Sequence, residues 1–315
     1  MFAVIDLVMP LFGLIFLGYL AGKIRKLPLE GLAWMNFFII YIALPAMFFR
    51  LLAQTPVEEF ANVAFIAISI LSTFAVFVLV FVVAGMLNRG NVAEATIQGF
   101  AAAYGNIGYM GPPLAIAAFG PEAGVPVALI FCFENTMHFT LAPFLMGLHG
   151  DNDKPAIVLV REVLVKIFTH PFILATIAGV LAAIADLQLP SAADRLLEFL
   201  SFAAAPCALF TMGVTAALRP LKRLPLELGY IVPAKLILHP ALVYLLMVWL
   251  VPDIDPLWLY SAVLLAALPS ATNVFVIAQQ YGVWQERASS AVVVSTIFAT
   301  VSVTAILYLM LGSNS

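Results

Sequence analysis

Two pairs of titratable residues stand inside long apolar stretches. Glu134-Asn135-Thr136-Met137-His138 and Lys235-Leu236-Ile237-Leu238-His239 each place an ionisable group four residues ahead of a histidine, so on a helix each pair shares a face. A lone charge at the centre of a bilayer costs about 2.5–3.5 kcal/mol on insertion scales, so each needs a reason. Glu134 and Lys235 would neutralise one another if their helices touch, as a purely architectural ion pair. Alternatively Glu134 carries a coupling proton, or Lys235 offsets an anionic ligand. Charge or proton coupling is thus the chemistry open to Glu134, His138, Lys235 and His239.

A second constellation is backbone chemistry. Tyr104-Gly105-Asn106-Ile107-Gly108-Tyr109-Met110-Gly111-Pro112-Pro113 cannot stay regularly helical, because the two prolines remove donors and clash with preceding carbonyls while the glycines tolerate non-helical dihedrals. Leu268-Pro269-Ser270-Ala271-Thr272-Asn273 has the same character. Irregular backbone at membrane depth must face protein or a wet cavity. Each break also opens the N-terminus of a half-helix, whose free N–H groups attract an anion. Asn106, Gly108, Tyr109, Pro112, Pro113, Pro269 and Asn273 are therefore the expected substrate-binding set, with the two asparagines supplying donors and acceptors.

The elements that must position these groups are membrane helices. The chain of 315 residues is 64% apolar and 10% charged, with a mean hydropathy of +1.09, which excludes an ordinary soluble protein. With 14 Lys+Arg against 17 Asp+Glu there is no basic face, and no nucleic-acid partner is expected. Cys132 and Cys207 are too few for a disulfide framework or a four-ligand zinc site. Ten stretches are long enough to span, near 3–22, 31–52, 62–87, 93–119, 123–148, 163–185, 194–218, 226–251, 257–281 and 286–312. Lys23, Arg25, Lys26, Arg89, Lys154, Arg161, Lys166, Arg219, Lys222, Arg223 and Arg287 then share one side. The positive-inside rule makes that side cytoplasmic and puts both termini outside. Trp34, Trp249, Trp258 and Trp284 fall at span ends, as interfacial anchors do. The first stretch lacks a basic n-region and reads as an uncleaved helix. Gly18-x-x-x-Gly22 permits close helix packing but is weak evidence for a dimer face.

An offset of 161–162 residues recurs along the chain. Pro10 falls on Pro171, Gly18 on Gly179, Leu44-Pro45-Ala46 on Ala205-Pro206-Cys207, and Phe119-Gly120 on Tyr281-Gly282. Five spans per unit is an odd number, so the second copy must be inverted. The expected organisation is a first five-helix repeat at 1–148, a short cytoplasmic linker at 149–162 and a second, inverted repeat at 163–315. Inverted repeats characterise secondary transporters, with the site where broken helices meet at mid-membrane. No metalloprotease helix, nucleophile elbow or phosphate loop is present, so no enzymatic activity is expected.

The motifs Ala43-Leu44-Pro45-Ala46, Gly105-Asn106-Ile107-Gly108 through Pro113, and Ala267-Leu268-Pro269 through Phe275, Ala278 and Tyr281 resemble those of the auxin efflux carrier family, which includes prokaryotic malate and malonate permeases alongside plant PIN carriers. The resemblance implies an all-α membrane protein of the bacterial inner membrane, with ten transmembrane helices in two inverted five-helix repeats. Helices 4 and 9 would be broken and cross, as in bile-acid symporters and sodium/proton antiporters. It further implies a scaffold of helices 1, 2, 6 and 7, often a homodimer interface, and a mobile core of helices 3–5 and 8–10. By the same resemblance Asn106 contacts a substrate carboxylate, with Asn273 facing it. Plant carriers have a proline near Val274, and their long central loop is absent here.

The expectation is a secondary active transporter of a small organic anion, a mono- or dicarboxylate, working by elevator-type alternating access. It would use no cofactor, its coupling ion being H+ or Na+, and the lipid bilayer as its surroundings. The alternatives are a sodium-coupled symporter of the bile-acid type and a membrane-embedded carboxylate sensor.

Overall fold

The computed structural model describes residues 2–25, 28–147, 157–158, 161, 164–165, 168–218 and 224–312. The expected linker at 149–162 lies outside the described residues except for 157–158 and 161. In chain order the helices are α1 (Phe2–Arg25), α2 (Glu30–Ala53), α3 (Val63–Leu87), α4 (Val92–Ala103), α5 (Gly111–Phe119), α6 (Gly124–Gly147), α7 (Pro171–Ile184), α8 (Ser191–Leu218), α9 (Leu228–Leu250), α10 (Pro256–Ala267), α11 (Thr272–Gln280) and α12 (Gln285–Gly312). Among the described residues the only β-type pairing is an isolated antiparallel bridge between Gly105 and Ser270. Among the described residues six helices are long and apolar enough to cross a membrane, and α7 and α10 are shorter apolar helices. This is an all-helical, multi-pass membrane protein.

The distribution of polarity fits lipid as the solvent. On α3 the outward residues are Leu71, Val78, Leu79 and Val82, while Ser69, Ser72 and Thr73 are buried. A water-soluble helix would reverse that arrangement. Trp34 and Trp249 are exposed at 82% and 76%, as interfacial anchors require. Trp258 and Trp284 differ from expectation, being buried at 9% and 8%. Trp258 packs edge-on against Phe65, centroids 4.8 Å apart.

The chain divides into two compact units. One comprises Met1–Asn62, Gly108–Cys132 and Phe168–Pro220. Within it α1 and α8 touch backbone to backbone: a methyl group at Gly18 would lie 2.1 Å from the Phe210 carbonyl oxygen, and one at Gly213 would lie 1.9 Å from that of Ile15. The Gly18–Gly22 motif is thus spent inside the chain, since Gly22 also packs on Ala217 and Val214. Gly179 of α7 meets α2 in the same way, against Leu52 and the Phe49 carbonyl. Arg50 of α2 reaches Asp194 of α8 at 2.8 Å and Glu198 at 3.4 Å.

The other unit comprises Val63–Ile107, Phe133–Ile167 and Leu221–Ser315. Its α9 contains a π-helical turn at Ala234–Leu238 just ahead of Pro240. A proline cannot donate to the carbonyl four residues back, so the turn widens there. Ile39–Ala43 of α2 is widened in the same way ahead of Pro45. In α9 the widened turn carries Lys235, with His239 immediately after it.

Expected spans 4 and 9 are both interrupted. α4 and α10 are 12 residues each, and α5 and α11 are 9 each. A glycine with positive φ follows the second piece in both cases, Gly120 at 94° and Gly282 at 71°, the left-handed region where glycine carries no steric penalty.

Candidate functional site

The two interruptions come together inside the second unit. Tyr104–Asn106 and Pro269–Ala271 run antiparallel as extended chain. The Asn106 N–H donates to the Pro269 carbonyl and the Ala271 N–H donates to the Tyr104 carbonyl, both at 2.8 Å. Each break thus supplies the hydrogen bonds that the other has lost, which makes irregular backbone tolerable at membrane depth.

The α4 and α10 helices end at this bridge, leaving C-terminal carbonyls and partial negative charge. Two side chains answer them. The Ser270 hydroxyl donates to the Ala101 carbonyl at 2.6 Å, while the Ser270 N–H donates to the Ser295 hydroxyl at 3.1 Å. The Lys235 ammonium donates to the Ala266 carbonyl at 2.5 Å. A methyl group placed on Gly105 would fall 3.3 Å from Lys235 Nζ and 3.1 Å from the Leu265 carbonyl oxygen. Lysine at that point requires glycine beside it.

Glu134 and Lys235 are both fully enclosed, at 6% and 0% exposure, but they do not meet as a direct ion pair. Thr73 and His239 stand between them. The Thr73 hydroxyl donates to Glu134 Oε1 at 2.8 Å and lies 3.0 Å from His239 Nε2. His239 Nδ1 lies 3.0 Å from Lys235 Nζ. His138 does not join this chain; its ring stacks on Tyr104, centroids 4.0 Å apart and 3° from parallel, with Phe100 edge-on at 5.6 Å.

Tyr104 is a hub that residue-type reasoning passed over. Its hydroxyl accepts from Asn273 Nδ2 at 2.8 Å and donates to Asn135 Oδ1. Asn273 is half-buried at the start of α11, while Asn106 is 3% exposed. The bridge therefore fixes the Asn106 backbone and Tyr104 fixes the Asn273 side chain. Thr73 and Asn135 were also missed. A threonine within an apolar helix is sequence-neutral, whereas Asn135, next to Glu134, was within reach of the sequence argument.

The expected binding set is divided between the units. Asn106, Pro269 and Asn273 lie in the unit with the bridge, together with Glu134, His138, Lys235 and His239. Gly108, Tyr109, Pro112 and Pro113 belong to the other unit, where the Tyr109 hydroxyl reaches Asn36 Oδ1 at 3.4 Å. The two prolines fill the first turn of α5, where a missing N–H costs nothing. Pro113 also lines a cavity of about 610 Å³ with Arg50, Gln54, Thr55 and Glu122. Arg50 is already held by two carboxylates, so among the described residues that line the cavity there is no free cation with which to select an anion. Among the described residues no cluster of His, Cys, Asp and Glu is arranged to hold a metal ion.

A protein of Rhizobium meliloti (strain 1021) named "Putative malonate transporter" is 56% identical over 304 residues, covering 96% of this chain and 95% of its own length. The family described as "Membrane transport protein" matches residues 3–307. Both are transporters and neither is an enzyme. A multi-pass helical chain matched over nearly its whole length in this way belongs to the membrane transport protein family, the auxin efflux carriers.

Proposed function

We propose that the protein is a secondary active transporter of a small organic anion, a mono- or dicarboxylate, with malonate the first substrate to test. The observation that carries the reading is the antiparallel pairing of Tyr104–Asn106 with Pro269–Ala271. It holds two helix interruptions side by side, with the Lys235 ammonium at Gly105 and the end of α10 and with Asn273, at the start of α11, held by the Tyr104 hydroxyl. Oriented N–H groups and amide side chains recognise carboxylate. The name of the Rhizobium meliloti relative supplies malonate as the candidate.

In this reading the chain forms ten transmembrane helices in two inverted five-helix repeats. The matched helix lengths and the glycines at 120 and 282 support a repeat. Helices 1, 2, 6 and 7 are the scaffold and homodimer face, and the core moves past them by an elevator-type step. Both termini face the extracytoplasmic side of the bacterial inner membrane. Asn106 and Asn273 contact the anion, and Lys235 and Glu134 set the charge of the core. Gly108 and Tyr109 lead into the second half of helix 4, and Pro112 and Pro113 open it.

Counterflow in proteoliposomes tests this. Vesicles preloaded with unlabelled malonate should accumulate an overshoot of labelled malonate, and Asn106→Ala should lose it. A hydrogen bond to a charged group contributes about 1.5–3 kcal/mol, so transport should fall by roughly one to two orders of magnitude while the protein stays folded. Full activity in Asn106→Ala refutes the site.

A further inference from the structure

The donors and acceptors between Lys235 and Glu134 can be assigned in one consistent order. Lys235 Nζ has hydrogens and no acceptor while it is an ammonium. His239 Nδ1 must therefore be the acceptor at 3.0 Å, and a neutral imidazole then carries its proton on Nε2. That N–H points at Thr73 Oγ1, 3.0 Å away, and the Thr73 hydroxyl gives its own hydrogen to Glu134 Oε1 at 2.8 Å. Every bond runs from lysine to carboxylate. The four side chains come from α3, α6 and α9. Glu134 is 6% exposed, His239 is 1%, and Thr73 and Lys235 are both 0%.

Among the described residues the neighbours of the chain add no competing carboxylate or ammonium. From α6 comes His138, held in its aromatic stack, and from the bridge comes the Tyr104 hydroxyl, engaged by two asparagines. α10 contributes the Ala266 carbonyl. The chain is thus a buried, aligned path between one acid and one base.

We propose that Lys235, His239, Thr73 and Glu134 form a proton relay through which the core takes up one proton with each anion it carries, making the protein a proton-coupled symporter. With no anion bound, the zwitterion of Glu134 carboxylate and Lys235 ammonium interconverts with the neutral pair. Lys235 gives a proton to His239 Nδ1, His239 gives its Nε2 proton to Thr73 Oγ1, and Thr73 gives its proton to Glu134. The products are an amine, the other imidazole tautomer, a reoriented hydroxyl and a carboxylic acid. Net charge is zero throughout. When an anion binds, one further proton from bulk water leaves Glu134 protonated and Lys235 cationic together. That positive charge then offsets one carboxylate charge of the anion, so the loaded core is neutral when it carries a monoanion such as hydrogen malonate. Crossing a low-dielectric membrane favours a neutral core in both directions of the cycle.

This inference rests on the carboxylate-carrier reading, and the test separates the two. Wild type, Thr73→Val and Thr73→Ser are reconstituted with the pH dye pyranine trapped inside. Two signals are read with malonate as the probe: counterflow overshoot, and acidification of the lumen during net uptake. One-for-one exchange of loaded carriers moves no net proton, so Thr73→Val should keep its overshoot within about twofold and lose acidification to the level of empty vesicles. Thr73→Ser should keep both. Wild-type acidification retained in Thr73→Val, overshoot without acidification in wild type, or loss of overshoot in Thr73→Val each overturns the relay. Absence of any wild-type overshoot overturns the carboxylate reading instead. Infrared difference spectra between acidic and alkaline pH then test the relay without substrate, with the Glu134 carboxyl band assigned by its loss in Glu134→Gln. A band shifted in Thr73→Val and restored in Thr73→Ser supports the hydroxyl link, and an unmoved band overturns it.

Discussion

Gly105→Ala is the sharpest test of how the crossing is built. The added methyl group would sit 3.1 Å from the Leu265 carbonyl oxygen and 3.3 Å from Lys235 Nζ, so one neighbour must give by a few tenths of an ångström. The end of a lysine usually can. Here it cannot do so cheaply, because Nζ is pinned between the Ala266 carbonyl at 2.5 Å and His239 Nδ1 at 3.0 Å. The carbonyl of Leu265 belongs to the last turn of α10 and is equally fixed. Overpacking of this kind costs about 1–3 kcal/mol. At roughly 2–4 °C per kcal/mol that lowers the melting temperature by about 2–12 °C. Gly85 of α3 is the control, since nothing lies within 4 Å of a methyl group there, and Gly85→Ala should stabilise its helix by about 0.5–1 kcal/mol. Unfolding in detergent can be followed by fluorescence, with the buried Trp258 and Trp284 as reporters. If Gly105→Ala melts and transports like wild type, Lys235 is not held as described and the electrostatic account of the bridge fails.

Two further outcomes follow from the packing. Tyr104→Phe keeps the ring stack on His138 but removes the hydroxyl between Asn273 and Asn135. It should cost about 1–3 kcal/mol and reduce malonate counterflow roughly tenfold, and unchanged counterflow would remove Tyr104 from the site. Gly213→Ala puts a methyl group 1.9 Å from the Ile15 carbonyl oxygen, so α1 and α8 must separate. A loss of about 3 kcal/mol should appear as a broadened peak on size exclusion, and a sharp wild-type peak would show that the two backbones are not in contact.

What could be read from residue order was local. The interruptions at 104–113 and 268–273 follow from proline and glycine chemistry, and the pairs Glu134/His138 and Lys235/His239 follow from helical spacing. The long-range partners did not follow. Thr73 meets Glu134 across 61 residues and His239 across 166, and Asn273 meets Tyr104 across 169. Nothing local distinguishes Thr73 from the other hydroxyls of α3, because a threonine can satisfy itself on its own helix backbone. The direct Glu134–Lys235 contact expected from charge alone is replaced by two interposed side chains, since Lys235 is drawn instead to the carbonyl end of α10. Trp258 and Trp284 misled for a related reason. Tryptophan near a helix end reads as an anchor whether its neighbour is headgroup or protein, and only Phe65 decides the matter for Trp258.

The bridge between Gly105 and Ser270 also imposes a timetable on biosynthesis. Ser270 is made 165 residues after Gly105, which at about 5–20 residues per second is a delay of roughly 8–33 s. Throughout that interval the Asn106 N–H and the Tyr104 carbonyl lack the partners they will have in the finished protein. A nascent chain at this stage carries an opened helix with nothing from the second half to close it. A ribosome stalled before residue 270 would leave a product that quality control can recognise by that unpaired backbone alone.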